Sequence, residues 1–283
     1  MTQRTIETGT DHITARVEDR IAILTLDRPK ARNALSGPML RGLALALDDA
    51  ERSRDVGVVV LTGAGQAFCA GGDVKAMDSG HEQDAARAKA EPDRAPRTLD
   101  GAIHRQRLDQ RATAGRIYSM AKPVIGSLPG AAAGAGLALA LACDLRIAAE
   151  SAFLLTAFAR VGFSGDYGGS YFLSQLVGSA KARELYYLSD KVDATEALRL
   201  GLVNRVVPDD TLEAQTLELA SRIAHGPTIA FQYMKENLNR ALGGDVLECM
   251  DLEATHHVHT SLTEDHRNVR AFIEKRKPEF KGR

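Results

Sequence analysis

The chain carries Phe68-Cys69-Ala70-Gly71-Gly72-Asp73-Val74-Lys75 shortly after an apolar β-type run, Val58-Val59-Val60-Leu61-Thr62. A second small-residue stretch, Gly130-Ala131-Ala132-Ala133-Gly134-Ala135-Gly136, follows another such run, Pro123-Val124-Ile125-Gly126-Ser127-Leu128. Because α/β folds place ligands at the carboxyl ends of their strands, both loops are predicted to line a ligand site. Glycine and alanine let the backbone approach a ligand closely, so the loops are predicted to present main-chain N–H groups to one oxyanion.

Two such donors suit the chemistry of a thioester, whose carbonyl oxygen becomes negative in an enolate or in a tetrahedral intermediate. Fixed N–H groups aimed at developing charge usually give the largest single catalytic term, about 3–4 kcal/mol per donor. The second loop also opens a helical pattern, and the positive N-terminal end of a helix adds to the attraction for an anion.

The composition indicates an ordinary soluble globular protein. Of 283 residues, 44% are hydrophobic and 26% are charged. The formal net charge of −1 gives no electrostatic reason to expect a nucleic-acid or membrane partner.

Three widely spaced cysteines argue against a disulfide framework and fit a reducing compartment. No stretch reaches the roughly 18–20 apolar residues of a membrane span, and residues 1–8 lack a secretory-signal core, so a cytoplasmic location is expected.

The periodicity predicts strands and helices in alternation, which implies a largely parallel sheet covered by helices. Residues 13–17 and 21–26 read as a hairpin, and a helix with an apolar face at Leu40, Leu43, Leu45, Leu47 and Ala50 follows from Gly37. Beyond residue 178 the pattern is helical almost throughout. The stretch from 79 to 100 is charged and poor in large apolar groups, so it is predicted to be either an active-site lid or a solvated insertion.

Six motifs in a fixed order resemble the crotonase superfamily of enoyl-CoA hydratases, isomerases and relatives. They are residues 26–35 (Leu-Asp-Arg-Pro-Lys-Ala-Arg-Asn-Ala-Leu), the two loops, Ala142-Cys143-Asp144, residues 197–207, and residues 272–280 (Phe-Ile-Glu-Lys-Arg-Lys-Pro-Glu-Phe). The resemblance implies an α/β crotonase-like fold with ββα repeats in a spiral core over residues 1–205, and a C-terminal helical extension over residues 206–283. Its closest likeness is to the phenylacetate-pathway enoyl-CoA isomerases.

The resemblance also implies which residues serve an acyl-CoA. One backbone N–H from each loop would hold the thioester oxygen, and by position these belong to Ala70 and Ala135. Coenzyme A enters as part of the substrate, so no separate cofactor and no metal are expected. A homotrimer or a dimer of trimers is expected from the family habit. The expected substrate-binding residues are Lys30, Arg32, Ala34, Gly71, Asp73, Lys75, Gly134, Phe158, Phe163, Tyr167 and, from an adjacent subunit, Lys281.

The chain departs from the family's hydratases at both of their catalytic glutamates. Relative to Asp144, those glutamates would fall at Ala138 and Phe158. A methyl group and a phenyl ring cannot activate water, so the usual two-carboxylate hydration mechanism has lost both groups.

Asp166 is the remaining candidate base. Two subgroups of the superfamily carry a functional aspartate at this position: the phenylacetate-pathway isomerases, and the aromatic-CoA dehalogenases, in which it is a nucleophile. The alternative is that Asp166 only caps the helix predicted to begin near Ser170. The resemblance and the lone carboxylate together predict an enoyl-CoA isomerase with Asp166 as acid/base. The alternatives are an enoyl-CoA hydratase or acyl-CoA thioester hydrolase, and a non-catalytic acyl-CoA-binding protein.

The histidines at 256, 257 and 259 could in principle bind a metal. No carboxylate lies at a helical spacing that would complete such a site, so the run is interpreted as structural or surface histidine.

Overall fold

The computed structural model describes residues 3–73 and 98–283, which form two β-sheets with helices packed around them. The strands of the larger sheet are β1 Gln3–Thr5, β2 Ile13–Glu18, β3 Ile21–Leu26, β4 Val58–Gly63, β6 Val124–Leu128, β8 Leu145–Ala149 and β11 Arg205–Val207. The strands of the smaller sheet are β5 Ala67–Cys69, β7 Ala131–Ala133, β9 Phe153–Leu155 and β10 Val192–Asp193.

The larger sheet has the order β1-β2-β3-β4-β6-β8-β11, and the smaller has the order β10-β9-β7-β5. From β3 to β11 the larger sheet is parallel, whereas β1, β2 and β3 form antiparallel pairs. Strands β5, β7 and β9 of the smaller sheet are also parallel. The two glycine-rich loops therefore leave β5 and β7, which are neighbours running in the same direction.

Helices cover both faces of the larger sheet. They are α1 Gly37–Arg52, α2 Leu99–Gln110, α3 Arg116–Ser119, α4 Ala135–Ala142, α5 Gly169–Leu188, α6 Ala194–Arg199, α7 Leu212–Ala224, α8 Thr228–Ala241, α9 Val246–Ser261, α10 Glu264–Arg267 and α11 Val269–Ile273. A π-helical turn, 111–115, joins α2 to α3.

Successive side chains of β3 and β4 point to opposite faces of the larger sheet, and both faces are buried. One set packs with Ala220 and Ala224 of α7: Ile21, Ile23, Val58 and Val60. The other set joins the main core with α1, α4 and the smaller sheet: Ala22, Leu24, Val59 and Leu61. This double coverage explains why the strands read as continuous apolar runs rather than as alternating ones.

The hairpin, the helix from Gly37 and the β-type runs before the two glycine-rich loops are confirmed, the latter as β4 and β6. Leu45 was predicted on the buried face of α1 but is 55% exposed, because a residue two positions from Leu43 and from Leu47 points to the opposite side of the helix. The helical pattern predicted beyond residue 178 is interrupted near its end, where Asn268 ends α10 and separates it from α11.

The predicted boundary after residue 205 stays a prediction. β11 straddles it and continues the larger sheet beside β8, while α7 packs on that sheet's second face. Within the described ranges no helix is both long and apolar enough to cross a membrane. Cys69 and Cys143 are free and buried, as small core residues should be, and Cys249 is free and half-buried.

Candidate active site

Asn33 holds the base of the first glycine-rich loop. Its side chain is fully buried, and Nδ2 donates to the carbonyl oxygens of Ala64 at 2.9 Å and Ala67 at 2.8 Å. Its Oδ1 accepts the N–H of Arg28 at 2.9 Å. Asparagine also suits the left-handed backbone here, with φ of 56°. One side chain thus ties the segment after β3 to the start of β5.

The backbone of the first loop corrects the role predicted for Ala70. The Ala70 N–H donates to the carbonyl of Arg32 at 2.9 Å, so this donor is committed within the protein. Two residues later, Gly72 pairs with Leu35 as in a parallel ladder, and the Leu35 N–H donates to the Gly71 carbonyl at 2.7 Å. In such a pairing the polar groups of Gly72 itself point away from Leu35. The Gly72 N–H has no partner among the residues that the structure describes.

The two glycine-rich loops are in direct backbone contact. A β-carbon built on Gly71 would lie 2.8 Å from the carbonyl oxygen of Ala133 and 3.5 Å from the nitrogen of Ala135. A β-carbon built on Gly134 would lie 3.9 Å from the Cα of Gly71. Gly71 also has a positive φ of 91°, so both its backbone conformation and the nearby Ala133 carbonyl require glycine at this position.

Ala135 is the first residue of α4, where a backbone N–H has no acceptor inside the helix. Its N–H has no other partner in the described part of the chain. Gly134 caps the helix with φ of 51° and ψ of −125°, and its own N–H donates to the carbonyl of Leu155 at 2.9 Å. The second loop therefore leaves one N–H of α4 unpaired beside Gly71.

Asp166 lies in the loop before α5 but does not cap that helix. Gly168 is the N-cap residue, and no side chain bonds to the first turn. The backbone carbonyl of Asp166 accepts the Gly169 N–H at 3.0 Å, while its carboxyl Oδ1 is buried and unpaired within the described ranges. Burial raises the pKa of Asp166 to about 6. This carboxyl can therefore gain and lose a proton near neutral pH.

Apolar groups occupy both positions at which the family's hydratases carry glutamate. The buried Ala138 has its β-carbon 3.2 Å from the point where a β-carbon of Gly169 would stand. Phe158 is also buried, and its Cε1 lies 3.8 Å from the corresponding point on Gly134. The Phe158 ring stacks on Tyr186, with ring centroids 5.7 Å apart and planes inclined by 19°.

Tyr186 is a polar residue of this region that the sequence reasoning missed. A β-carbon built on Gly169 would lie 2.9 Å from the Tyr186 hydroxyl oxygen, and one on Gly165 would lie 3.3 Å from it. This oxygen is buried and unpaired within the described residues. Burial, followed by the charge of Asp166, raises the pKa of Tyr186 to about 12. Its hydroxyl therefore stays protonated at physiological pH and can donate a hydrogen bond.

Several predicted coenzyme A contacts surround the first loop. Lys30 and Arg32 are exposed there. Ala34 is buried; its N–H donates to Ala31, and its carbonyl accepts the Arg28 Nη1 at 2.7 Å. A ligand could use only the second lone pair of that carbonyl. Asp73 forms an ion pair with Arg28 at 3.0 Å, which holds the loop's far end to the same segment.

Other predicted contacts lie elsewhere. Phe163 is 57% exposed, and Tyr167 is buried in the main core, where its N–H donates to Gln110 of α2 at 2.7 Å. Lys281, on the C-terminal tail, pairs with Glu264 at 3.0 Å. Lys75 and nearly all of the predicted lid lie outside the described residues. The structure thus brings together the two loops, Phe158 and Ala138, and adds Tyr186 beside Asp166.

A family model described as "Enoyl-CoA hydratase/isomerase" matches residues 16–283. The chain belongs to this family. The fold described above is accordingly the crotonase fold. Within the described ranges no group of histidine, cysteine, aspartate and glutamate side chains could hold a metal ion, and His256 is instead buried against the ring of Tyr233.

Relatives within the enoyl-CoA hydratase/isomerase family carry names of both activities. A protein of Rhodobacter capsulatus named probable enoyl-CoA hydratase is 36% identical over 94% of this chain and 96% of its own length. The 1,2-epoxyphenylacetyl-CoA isomerase of Escherichia coli is 33% identical over 96% of this chain and 99% of its own. The crystal structure of an enoyl-CoA hydratase from Bacillus anthracis, 31% identical, covers 96% of this chain and 100% of its own with a TM-score of 0.84. This protein is therefore an acyl-CoA enzyme of the family, and these names do not distinguish hydration from isomerisation.

Proposed function

We propose that this protein is an enoyl-CoA isomerase in which Asp166 carries the proton. The observation that supports it most directly is the buried, unpaired Oδ1 of Asp166 in a loop whose helix is capped without it. An aspartate with only a structural role would have paired this buried oxygen. The carboxyl with a pKa of about 6 can serve as a base and then as an acid in one cycle.

The reaction proposed needs one proton carrier and an oxyanion site. The N–H groups of Gly72 and Ala135 hold the thioester oxygen, and Gly72 replaces Ala70 in this role because the Ala70 N–H is bonded to Arg32. Asp166 removes a proton from the carbon α to the thioester or γ in an enoyl system. The resulting dienolate is stabilised at its oxygen, and Asp166 returns the proton to the other carbon.

Hydration by the family's two-glutamate route has no support in these side chains. Ala138 and the stacked ring of Phe158 offer water neither a base nor an acid. Both glutamates of the hydratases are absent, and Asp166 is the carboxylate available to replace them. One such group can move a single proton between two carbons of the substrate.

The proposal is tested with Asp166→Asn, which keeps the shape of the side chain and removes its proton chemistry. We expect the isomerisation of a 3-enoyl-CoA to fall by about 10²–10⁴-fold in kcat, the usual contribution of a general acid/base group. Binding of the CoA ester should be retained. The matched control is Asp210→Asn at an exposed position far from the loops, which should be indistinguishable from the unmodified protein.

Unchanged isomerisation in Asp166→Asn would remove this residue from the mechanism. Formation of a 3-hydroxyacyl product from crotonyl-CoA faster than any isomerisation would establish hydration instead. Release of free thiol from saturated acyl-CoAs would establish thioester hydrolysis. Tight binding without turnover of any thioester tested would establish a binding protein.

A further inference from the structure

Two buried oxygens in the region of the Asp166 loop lack hydrogen-bond partners in the described part of the chain. They are Oδ1 of Asp166 and the hydroxyl of Tyr186. Leaving a buried polar group unpaired is costly, and native structures rarely do so without a ligand or an ordered water. The proposed proton transfer explains the carboxyl oxygen but not the tyrosine hydroxyl.

The Tyr186 hydroxyl lies close to two glycines of the chain segment around Asp166, Gly165 before it and Gly169 after it. It lies 3.3 Å from the β-carbon position of Gly165 and 2.9 Å from that of Gly169. An alanine at Gly169 would press against this oxygen, so the absence of side chains at 165 and 169 leaves the space that the hydroxyl occupies. The Tyr186 ring is held from its other side by the stack with Phe158.

The same stack connects Tyr186 to the proposed thioester site. Phe158 contacts the Gly134 end of the second loop through its Cε1, and Tyr186 is the next ring away from that loop. An acyl chain that leaves the thioester and follows the Phe158 ring therefore reaches Tyr186 and the Asp166 loop. A plain hydrocarbon chain would leave both oxygens without a partner.

We propose that Tyr186 is a specificity-determining residue whose hydroxyl, together with Asp166, binds a hydroxyl group carried by the acyl chain of the substrate. This inference rests on the proposed function, which places the acyl chain beside Asp166. A hydroxyl group complements the pair because it accepts a hydrogen bond from Tyr186 and donates one to the carboxylate. The substrate class is thus a hydroxylated acyl-CoA.

Binding measurements with saturated ligands test this without relying on isomerisation. Butanoyl-CoA is compared with 3-hydroxybutanoyl-CoA, and hexanoyl-CoA with 6-hydroxyhexanoyl-CoA, so that the hydroxyl is offered near the thioester and far from it. Calorimetry is run on the full chain, on Tyr186→Phe and on the control Tyr187→Phe, whose ring is 72% exposed. We expect the hydroxylated member of at least one pair to bind the unmodified protein and Tyr187→Phe about tenfold more tightly, the size of one good hydrogen bond. Tyr186→Phe should abolish that preference and leave the affinity for the plain chain unchanged.

The absence of any preference in the unmodified protein would overturn the proposal. So would a preference that survives unchanged in Tyr186→Phe, since that result means that another group binds the ligand hydroxyl. An equal loss of affinity for both members of a pair would also overturn it, since the Tyr186 hydroxyl would then act on something that both ligands share, such as a bound water. Thermal unfolding gives a second readout. Removing an unpaired buried hydroxyl should leave Tm unchanged or raise it, whereas a hydroxyl bonded within the protein would lower it.

A failed subsite and a failed isomerase are distinguishable. If only the hydroxyl subsite is wrong, Asp166→Asn is inactive but the unmodified protein shows no preference for hydroxylated ligands. If the isomerase proposal is wrong, Asp166→Asn stays active, whatever effect Tyr186→Phe has on binding.

Discussion

The ring of Phe158 lies against the ring of Tyr186, nearly parallel to it, at 5.7 Å between centroids. Aromatic pairs at this separation stabilise each other by about 0.5–1.5 kcal/mol beyond the area that they bury. The position at which a hydratase of this family holds water is therefore a structural contact between the loop after β9 and helix α5. Its apolar character is built into the packing of the protein.

Phe158→Glu is accordingly not expected to restore hydration. Position 158 is 7% exposed, so the new carboxylate would be buried, and it would replace a stacked ring. We expect the free energy of unfolding to fall by about 3 kcal/mol or more, and no hydration of crotonyl-CoA to appear. Urea unfolding and the enoyl absorbance measure the two effects. Phe158→Leu is the control that keeps an apolar side chain and should lose less stability; a stable, hydrating Phe158→Glu would contradict the proposed reaction.

The pKa of Asp166 predicts the pH dependence of turnover. Because the carboxylate form abstracts the proton, kcat/KM for a 3-enoyl-CoA should rise as the pH increases through about 6 and level off above it. The measurement is a pH–rate profile from pH 4.5 to 8. A profile whose midpoint lies near 4, the ordinary value for aspartate, would mean that Asp166 is not the group that titrates.

The same pKa predicts a pH dependence of stability. The folded protein favours the protonated carboxyl, since its pKa lies above the ordinary value of 3.8. The stabilisation from this group is therefore fully present below pH 3.8 and is lost as the pH rises through about 6. Asp166→Asn should show none of this loss, so its stability relative to the unmodified protein should improve from pH 4 to pH 7. Urea midpoints at the two pH values test this, and a constant difference would contradict it.

Ala135→Pro tests the proposed oxyanion donor without changing a side-chain function. Proline lacks the N–H but is tolerated at the first position of a helix, which Ala135 occupies in α4. We expect kcat to fall by about 10²–10³-fold with the fold retained, as when one oxyanion donor is removed.

Val246→Pro is the matched control for this substitution. Val246 is the first residue of α9 and is 66% exposed, so its N–H is also outside the helical bonding but far from the loops. Its circular dichroism, Tm and kcat should all be unchanged. Equal turnover in Ala135→Pro and in the unmodified protein would exclude the Ala135 N–H as an oxyanion donor.

Lys235 and Asp144 form an ion pair in which Lys235 is buried and the Asp144 side chain is 28% exposed. Lys235 is 7% exposed; its Nζ donates to Asp144 Oδ2 at 2.8 Å and to the carbonyl of Ile117 at 2.8 Å. The same Asp144 oxygen accepts the N–H of Val124 at 2.7 Å. Removing Lys235 leaves the partly hydrated Asp144 carboxylate without its counter-charge, so Lys235→Met is expected to lose about 1.5–3 kcal/mol of unfolding free energy in urea. A loss below about 1 kcal/mol, as for an exposed pair, would contradict this.

The central strands of the larger sheet were predictable from the sequence because they are buried on both faces. The runs at 58–62 and 124–128 contain mostly apolar residues and end at turn signals, so length and composition sufficed. The short strands β5 and β7 were instead predicted as parts of the two loops. The course of helix α5 was less predictable. Gly178 has φ of 75° and ψ of 162° inside α5, and such a break shifts the buried face of a helix by an amount that periodicity does not reveal.

The site was predictable as a pair of loops but not in its backbone directions. The sequence places small residues around Ala70, yet which N–H is left unpaired depends on the positive φ of Gly71, after which the chain pairs with Leu35. Tyr186 was missed because its significance depends on a contact across 20 residues with the loop of Asp166. The signal that could have found it is the pair of glycines at 165 and 169, which flank a carboxylate and leave room for a large neighbour.

The ion pair of Lys235 and Asp144 also orders events during synthesis on the ribosome. Asp144 precedes β8, whereas Lys235 lies 91 residues later in α8. A nascent chain that has produced the central strands therefore holds an unneutralised carboxylate at the edge of its core until α8 has emerged and docked. Before α8 docks, Asp144 lacks this partner and is expected to stay hydrated, so the final dry packing around it should form only after Lys235 has emerged.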